Sequence, residues 1–229
     1  MLPKTPSQMS PYAKACLESL AQQGLGQFLS IGGAFGLSYF VEYRSTHDVD
    51  AWWIEPLTQE QRREVIRTLQ QALTNFGNTR VREWGDVVSV ELLQEGKVIF
   101  SFQIAKRSAQ LTDPIAAPWP GGARLDSLIE LIASKMVALV ERGAPRDFRD
   151  IYQLCHQGLT NVRQCWELWQ TRQQLANENA DIERAKLAIR THLARIERSR
   201  PLESISDPNQ REQAAQVRQW YREEFLGDD

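Results

Sequence analysis

Phe28-Leu-Ser-Ile-Gly-Gly-Ala-Phe-Gly-Leu37, followed shortly by Tyr43-Arg-Ser-Thr-His-Asp-Val-Asp50, is the stretch on which the fold turns. Its first four residues read as a short strand. Gly32-Gly33 ends that strand, and Ala34 to Tyr43 predicts a helix. Asp48 to Ile54 predicts the next strand. Residues two apart on a strand point to the same face, so Asp48 and Asp50 present their carboxylates together. Adjacent carboxylates repel unless a cation lies between them. Mg²⁺, or Mn²⁺ in its place, accepts one or two carboxylates and completes its shell with water and phosphate oxygens. Asp48 and Asp50 are therefore the candidate metal ligands. A metal held this way neutralises a triphosphate and orients an in-line displacement at phosphorus. An isolated Asp-x-Asp also fits a plainer reading, a turn cap beside a solvated aspartate. Gly32 and Gly33 add weight. Glycines there permit a tight turn and close approach of phosphate to backbone, at a helix N-terminus with free N–H groups.

Working outward, Tyr12 to Gln23 predicts a helix with Ala13, Cys16, Leu17 and Leu20 on one face. After Pro56, Thr58 and Gln61 form a capping-box signature for a helix running to about Asn75. That helix carries Val65, Ile66, Leu69 and Leu73. Val87 to Leu93 and Val98 to Ala105 predict two strands around a turn at Glu95-Gly96. Thr112 to Gly122 holds three prolines and two glycines and reads as a linker. Beyond it the pattern is helical: Leu125 to Glu141, Arg146 to His156, Val162 to Ala176, Asp181 to Arg198, and Gln210 to Phe225. The expected fold class is α+β: a mixed sheet with flanking helices over residues 1–115, then a mostly helical part over 116–229.

Two blocks of this sequence together resemble the AbiEii/AbiGii toxin family of nucleotidyltransferases, relatives of the DNA polymerase β superfamily. The first runs from Phe28 to Asp50. The family opens with Gly-Gly, a helix, then Arg-x-Ser/Thr-x-Asp-apolar-Asp, matched by Arg44, Thr46, Asp48, Val49 and Asp50. The second is Glu130-Leu-Ile-Ala-Ser-Lys-Met-Val-Ala-Leu-Val-Glu-Arg142 with Arg146-Asp-Phe-Arg-Asp-Ile-Tyr152. It looks like the family's Ala-x-Lys helix and Arg-Asp-x-x-Asp segment. The resemblance covers roughly residues 25–155. It implies that Asp48 and Asp50 bind Mg²⁺, that Gly32 and Gly33 cradle nucleotide phosphates, and that Lys135 contacts the triphosphate. Asp147 is then the late carboxylate, and Arg44 supports the metal strand or touches phosphate.

Leu125, Leu128, Ile129, Ile132, Met136, Leu139 and Val140 form one apolar helical stripe. Lys135 and Arg142 flank it on one side, where two cations could meet a triphosphate or simply snorkel at the core boundary. Asp147 and Asp150 stand in the first turn after Pro145, where acids also stabilise a helix through its dipole, and either could pair with a nearby arginine.

The sequence departs from the wider superfamily at its third carboxylate. The aligned position holds Gln103, which can orient a hydroxyl but cannot act as a general base. Glu91 on the neighbouring strand is an alternative, though it reads more plainly as an exposed strand residue. Gly33 replaces the serine of many polymerase β relatives.

Arg184 to Arg200 holds six cations against Glu197, on a helix whose apolar face is Ile182, Ala185, Ile189, Leu193 and Ile196. That stripe could grip RNA phosphates or be a solvated face. Trp166, Trp169 and Trp220 fit a core better than base stacking.

The bulk numbers exclude several classes. With 229 residues and 42% hydrophobic content, the chain can build a core. Net charge is −2, so any polyanion site must be a local patch. Cys16, Cys155 and Cys165 suit neither a disulfide framework nor a zinc site and read as reduced thiols in the cytoplasm. The longest apolar run, Phe28 to Val41, is too short and glycine-broken to cross a membrane. The expectation is a Mg²⁺-dependent nucleotidyltransferase that takes an NTP and delivers NMP to a tRNA or protein hydroxyl, under control of a cognate antitoxin. Two other readings stand beside it: a degenerate nucleotide- or RNA-binding protein on the same fold, and a small-molecule adenylyltransferase.

Overall fold

The computed structural model of the chain describes residues 1–227. Its contacts divide it into a unit from Met1 to Leu131 and a second from Ile132 onward. The expected boundary lay earlier, at residue 115. No described helix is long and apolar enough to cross a membrane.

The first unit is built on a seven-stranded mixed sheet in the order β3-β4-β5-β2-β1-β7-β6. The strands are β1 (Leu29–Gly32), β2 (Val49–Trp53), β3 (Asn78–Trp84), β4 (Val87–Gln94), β5 (Lys97–Ala105), β6 (Ile115–Ala116) and β7 (Arg124–Leu125). β2 pairs antiparallel with β1 and parallel with β5. Alternation gives the sheet two characters. One face carries Leu29, Ile31, Val49, Ala51, Val90, Leu92, Phe100, Phe102 and Ile104, all buried in the hydrophobic core. The helices α1 (Pro11–Gln22) and α3 (Gln59–Thr74) contribute to that core. Ala13, Cys16, Leu17 and Leu20 are the buried residues of α1, as its periodicity requires. On α3, Val65, Leu69 and Leu73 are buried, and the Thr58–Gln61 capping box is formed. The other face is polar: Ser30, Gly32, Asp50, Ser89, Glu91, Ser101 and Gln103 share it by register.

Several elements differ from expectation. The helix after Gly32 is only α2 (Gly33–Leu37), five residues rather than a run to Tyr43. Its carbonyls are taken up in tight turns, Phe40 N donating to Leu37 O and Val41 N to the same oxygen. So short a helix carries little macrodipole. β3 has an exposed, polar pattern and gave no alternating apolar signal. The proline-rich segment 112–122 is not a free linker: β6 lies within it, and β7, which follows it, adds parallel to β1.

The second unit is helical, with α5 (Pro145–His156), α6 (Val162–Leu175), α7 (Ile182–Ser199) and α8 (Pro208–Trp220), followed by a π-turn at Tyr221–Phe225. The boundary between the units falls within α4 (Leu128–Glu141). Ile132, Met136 and Leu139 of the expected stripe are buried, but Ile129 is 40% exposed. Ala185, Ile189 and Leu193 are the buried face of α7. Trp166 and Trp169 are core residues.

Candidate functional site

Asp48 precedes β2 and is exposed; Asp50 lies within β2 and is half-buried. Asp48 Oδ1 accepts from Ser101 N at 2.9 Å and from Ser101 Oγ at 3.0 Å. Two donors on one oxygen fix the carboxylate and leave Oδ2 to a ligand. Ser101 was not singled out in the sequence. Only the parallel pairing of β2 with β5 brings it beside Asp48.

Asp50 faces Gly32 on one side and Gln103 on the other. Gly33 explains its setting. A Cβ there would stand 2.1 Å from Asp50 Oδ2, and Gly33 has φ +60°. Glycine is therefore needed both for the left-handed backbone and for the space the carboxylate fills. Gly32 plays a parallel part, since its Cβ would lie 2.5 Å from Trp52 Nε1 and 2.9 Å from Asp126 Oδ2. The glycine pair thus lets an aspartate approach the backbone at each of its two positions.

Asp126 is a residue the sequence reading missed. β7 positions it, because Asp126 N donates to Ile31 O at 2.9 Å. The side chain is 1% exposed and accepts from Ser30 Oγ. Arg107, itself nearly buried, bridges Asp126 at 2.6 Å and Glu130 at 2.7 Å and lies 5.1 Å over the Trp52 ring. Burial raises the Asp126 pKa above the ordinary range, against the opposing pull of Arg107. A one-sequence signal for this cluster is weak: its parts are about twenty residues apart in segments taken as loop and helix start.

Glu91 is not the exposed strand residue expected. It is 6% exposed, its Oε2 accepting from Arg80 at 2.6 and 2.8 Å, with Arg82 at 3.8 Å. Register sets it beside Ser101 on the polar face. Its charge is already committed to the arginines of β3, so it is a poor substitute base. Gln103 sits opposite Asp50 in the sheet, with its amide donating to Ser101 Oγ at 3.3 Å.

The loop before β2 holds the remaining residues of the first block. Arg44 is half-buried and 6.0 Å over the Tyr43 ring, and Thr46 is half-buried.

From Ile132 onward the second block lies in the helical unit, where it forms two pairs. Lys135 Nζ is 2.6 Å from Asp150 Oδ2, both side chains buried. Asp147 is fully buried, accepts two N–H bonds from Arg142 at 2.8 Å, and caps α5 by accepting from Ala144 N at 3.0 Å. Arg142 is also tied through its backbone, its carbonyl accepting from Arg195 at 2.8 Å. Asp150, not Asp147, is the carboxylate coupled to Lys135. The resemblance singled out Asp147 as the late carboxylate, while helix packing gives Asp147 to Arg142 and Asp150 to Lys135. On α7, Lys186 pairs with Glu183 and Arg190 donates to Leu226 O, so part of the expected cationic stripe is spent internally.

Among the described residues, no group of three or more His, Cys, Asp or Glu side chains is arranged to hold a metal ion. Two carboxylates alone suit a hard cation whose shell is finished by water and substrate phosphates.

A family model described as nucleotidyl transferase AbiEii toxin, Type IV TA system, matches residues 15–227. The match extends well beyond the 25–155 span carried by the motifs. No curated protein sequence matches the chain. Among solved structures, JHP933 from Helicobacter pylori is similar at 15% identity and TM-score 0.53, covering 94% of this chain and 89% of that one. An H. pylori protein described as a candidate nucleotidyltransferase aligns at 14% identity and TM-score 0.52, over 94% and 92%. These likenesses carry the fold, while the family match spans the Gly32-Gly33 turn, the Asp48–Asp50 pair and all the helices that follow. The chain belongs to the AbiEii nucleotidyl transferase toxin family of type IV toxin–antitoxin systems.

Proposed function

We propose that the protein transfers a nucleoside monophosphate from an NTP to a hydroxyl of a tRNA or protein acceptor, as a cytoplasmic toxin restrained by a cognate antitoxin. The observation that carries this reading is the pair Asp48–Asp50, one oxygen anchored by Ser101 and the other carboxylate packed where Gly33 has no Cβ. An all-oxygen donor set of this kind fits Mg²⁺ or Mn²⁺, which when bound neutralises triphosphate charge and fixes the phosphate oxygens.

The chain's own residues then supply positioning. Gly32 and Gly33 give their Cβ space to Asp126 and Asp50, and the phosphates are assigned to the turn the glycines form and to Arg44 and Thr46 on the adjoining loop. Asp48 and Asp50 would hold the cation, whose charge would draw the reacting phosphate into line with the acceptor oxygen. That hydroxyl oxygen attacks the α-phosphorus and gives its proton to solvent, while the bond to pyrophosphate breaks and pyrophosphate leaves. Lys135 is assigned to the triphosphate; an ammonium has three N–H donors, and Asp150 does not exhaust them. Asp147 serves by holding Arg142 in place.

A second reading, nucleotide or RNA binding without turnover, is favoured by Gln103 opposite Asp50. Incubation with each α-labelled NTP, Mg²⁺ and total RNA separates the two. Label on RNA or protein, lost in the Asp48→Ala/Asp50→Ala variant, supports transfer. Nucleotide binding with no label transferred and no pyrophosphate released supports the second reading. Transfer that persists in the double variant overturns the site assignment.

A further inference from the structure

Cys155 at the end of α5 and Cys165 in the first turn of α6 bring their sulfurs to 3.9 Å. A disulfide needs about 2.05 Å between sulfurs, so the bond forms as the two side chains close that gap. The two thiols differ in access. Cys165 is fully buried, with Thr160 Oγ1 3.8 Å from its sulfur. Cys155 is half-buried and lines a cleft of about 600 Å³ together with Tyr152, His156, Thr160 and Trp220. A small oxidant can enter there, while the second thiol waits behind the first. Nothing in the nucleotidyl-transfer reading uses either residue.

We propose that Cys155 and Cys165 are a thiol–disulfide pair that closes on exposure to a hydroperoxide. A thiolate of the pair attacks the peroxide O–O bond, taking one oxygen as a sulfenic acid and releasing the other as alcohol or water. The second thiol gives up its proton and attacks the sulfenic sulfur. The S–S bond forms, the S–O bond breaks, and the departing hydroxide leaves as water. The two sulfurs lose two electrons in total, and the peroxide gains them. An S–H donated by Cys155 pulls Cys165 below the ordinary thiol range, against its burial, and Cys155 rises correspondingly. Cys16 is a built-in contrast, since burial pushes its thiol up to about 12. The bridge would tie α5, which carries Asp147 and Asp150, to α6.

The test uses the full chain. Hydrogen peroxide is added, excess is removed, and thiols are counted in denaturant. The expected count falls from the three cysteines present to one. Intact mass drops by about 2 Da and returns with dithiothreitol. Trypsin, which cuts after Arg149, Arg163 and Arg172, should release residues 150–163 joined to residues 164–172. Cys155→Ser and Cys165→Ser should each keep both remaining thiols free of that bond. The proposal is overturned if peroxide leaves all thiols titratable in the wild type. It is equally overturned if Cys155 advances to a sulfinic acid with no joined peptide, or if the bond involves Cys16.

Discussion

The two faces of the sheet are made from the same strands, residue by residue, yet they obey different rules. On one face Val49, Ala51, Phe100, Phe102 and Ile104 are buried against other apolar side chains, and nothing there needs a partner beyond contact. On the other, Asp50 faces Gln103, which faces Ser89, while Ser101 faces Glu91 and bonds Asp48. There almost every group is oriented by a specific neighbour: Ser101 for Asp48, Arg80 for Glu91. The apolar face makes the fold, and the polar face holds charge at fixed points on it. A change on the first should therefore appear as stability and a change on the second as chemistry.

The sharpest break of that contrast is the Asp48→Ala/Asp50→Ala variant. Label transfer should fall by about a thousandfold or more, the scale lost with a preorganised electrostatic group. Its thermal midpoint should stay near the wild type, because Asp48 is exposed. Loss of folding in this variant would mean that the pair is structural. Phe102→Ala is its counterpart on the other face. Phe102 is 0% exposed and paired in register with Val49 and Val90, so urea titration should show a loss of about 3–5 kcal/mol. Transfer per folded molecule should stay within a few-fold of wild type.

Gly33→Ala tests where the faces meet. The added methyl strikes Asp50 Oδ2 and sits at positive φ, so both stability and transfer should fall. Gly96→Ala is the control, with φ +77° and open space around the methyl. It should cost about 1–2 kcal/mol of backbone strain and no transfer activity. Equal activity losses in the two variants would remove Gly33 from the site.

The smallest effect concerns Asp126. Its pKa is raised by burial, so the folded state holds that proton more tightly than the unfolded chain does. Its stabilising contribution is fully present below the ordinary value of 3.8 and is lost as pH rises through the folded value. Asp126→Asn never ionises. Its thermal midpoint should therefore gain on the wild type by a few degrees as pH rises from about 4 toward neutrality. A constant difference across that range would show that Arg107 already compensates the charge in full.

Much of the first unit was legible because its signals are local. The α1 face, the Thr58–Gln61 cap and the hairpin of β4 and β5 follow from periodicity, a capping box and a glycine turn. β3 was not legible, because Arg80, Arg82 and Glu83 break any apolar alternation; it is held by pairing with β4 along its whole length. β6 and β7 were not legible either. Two-residue strands amid prolines carry no period, and only their pairing with β1 and with each other defines them. That misreading hid Asp126, which β7 delivers to Gly32.

By itself the sequence determined the order of strand, Gly-Gly, helix and Asp-x-Asp at the start of the next strand, and the family, since each rests on spacing along one chain. Tertiary structure decided the partners. It set Ser101 on Asp48, gave Glu91 to Arg80, and joined Arg107 to Asp126 and Glu130. It also distinguished Asp150, paired with Lys135, from Asp147, paired with Arg142. A carboxylate's neighbours in space come from sheet register and helix packing. No spacing rule along the chain encodes those contacts.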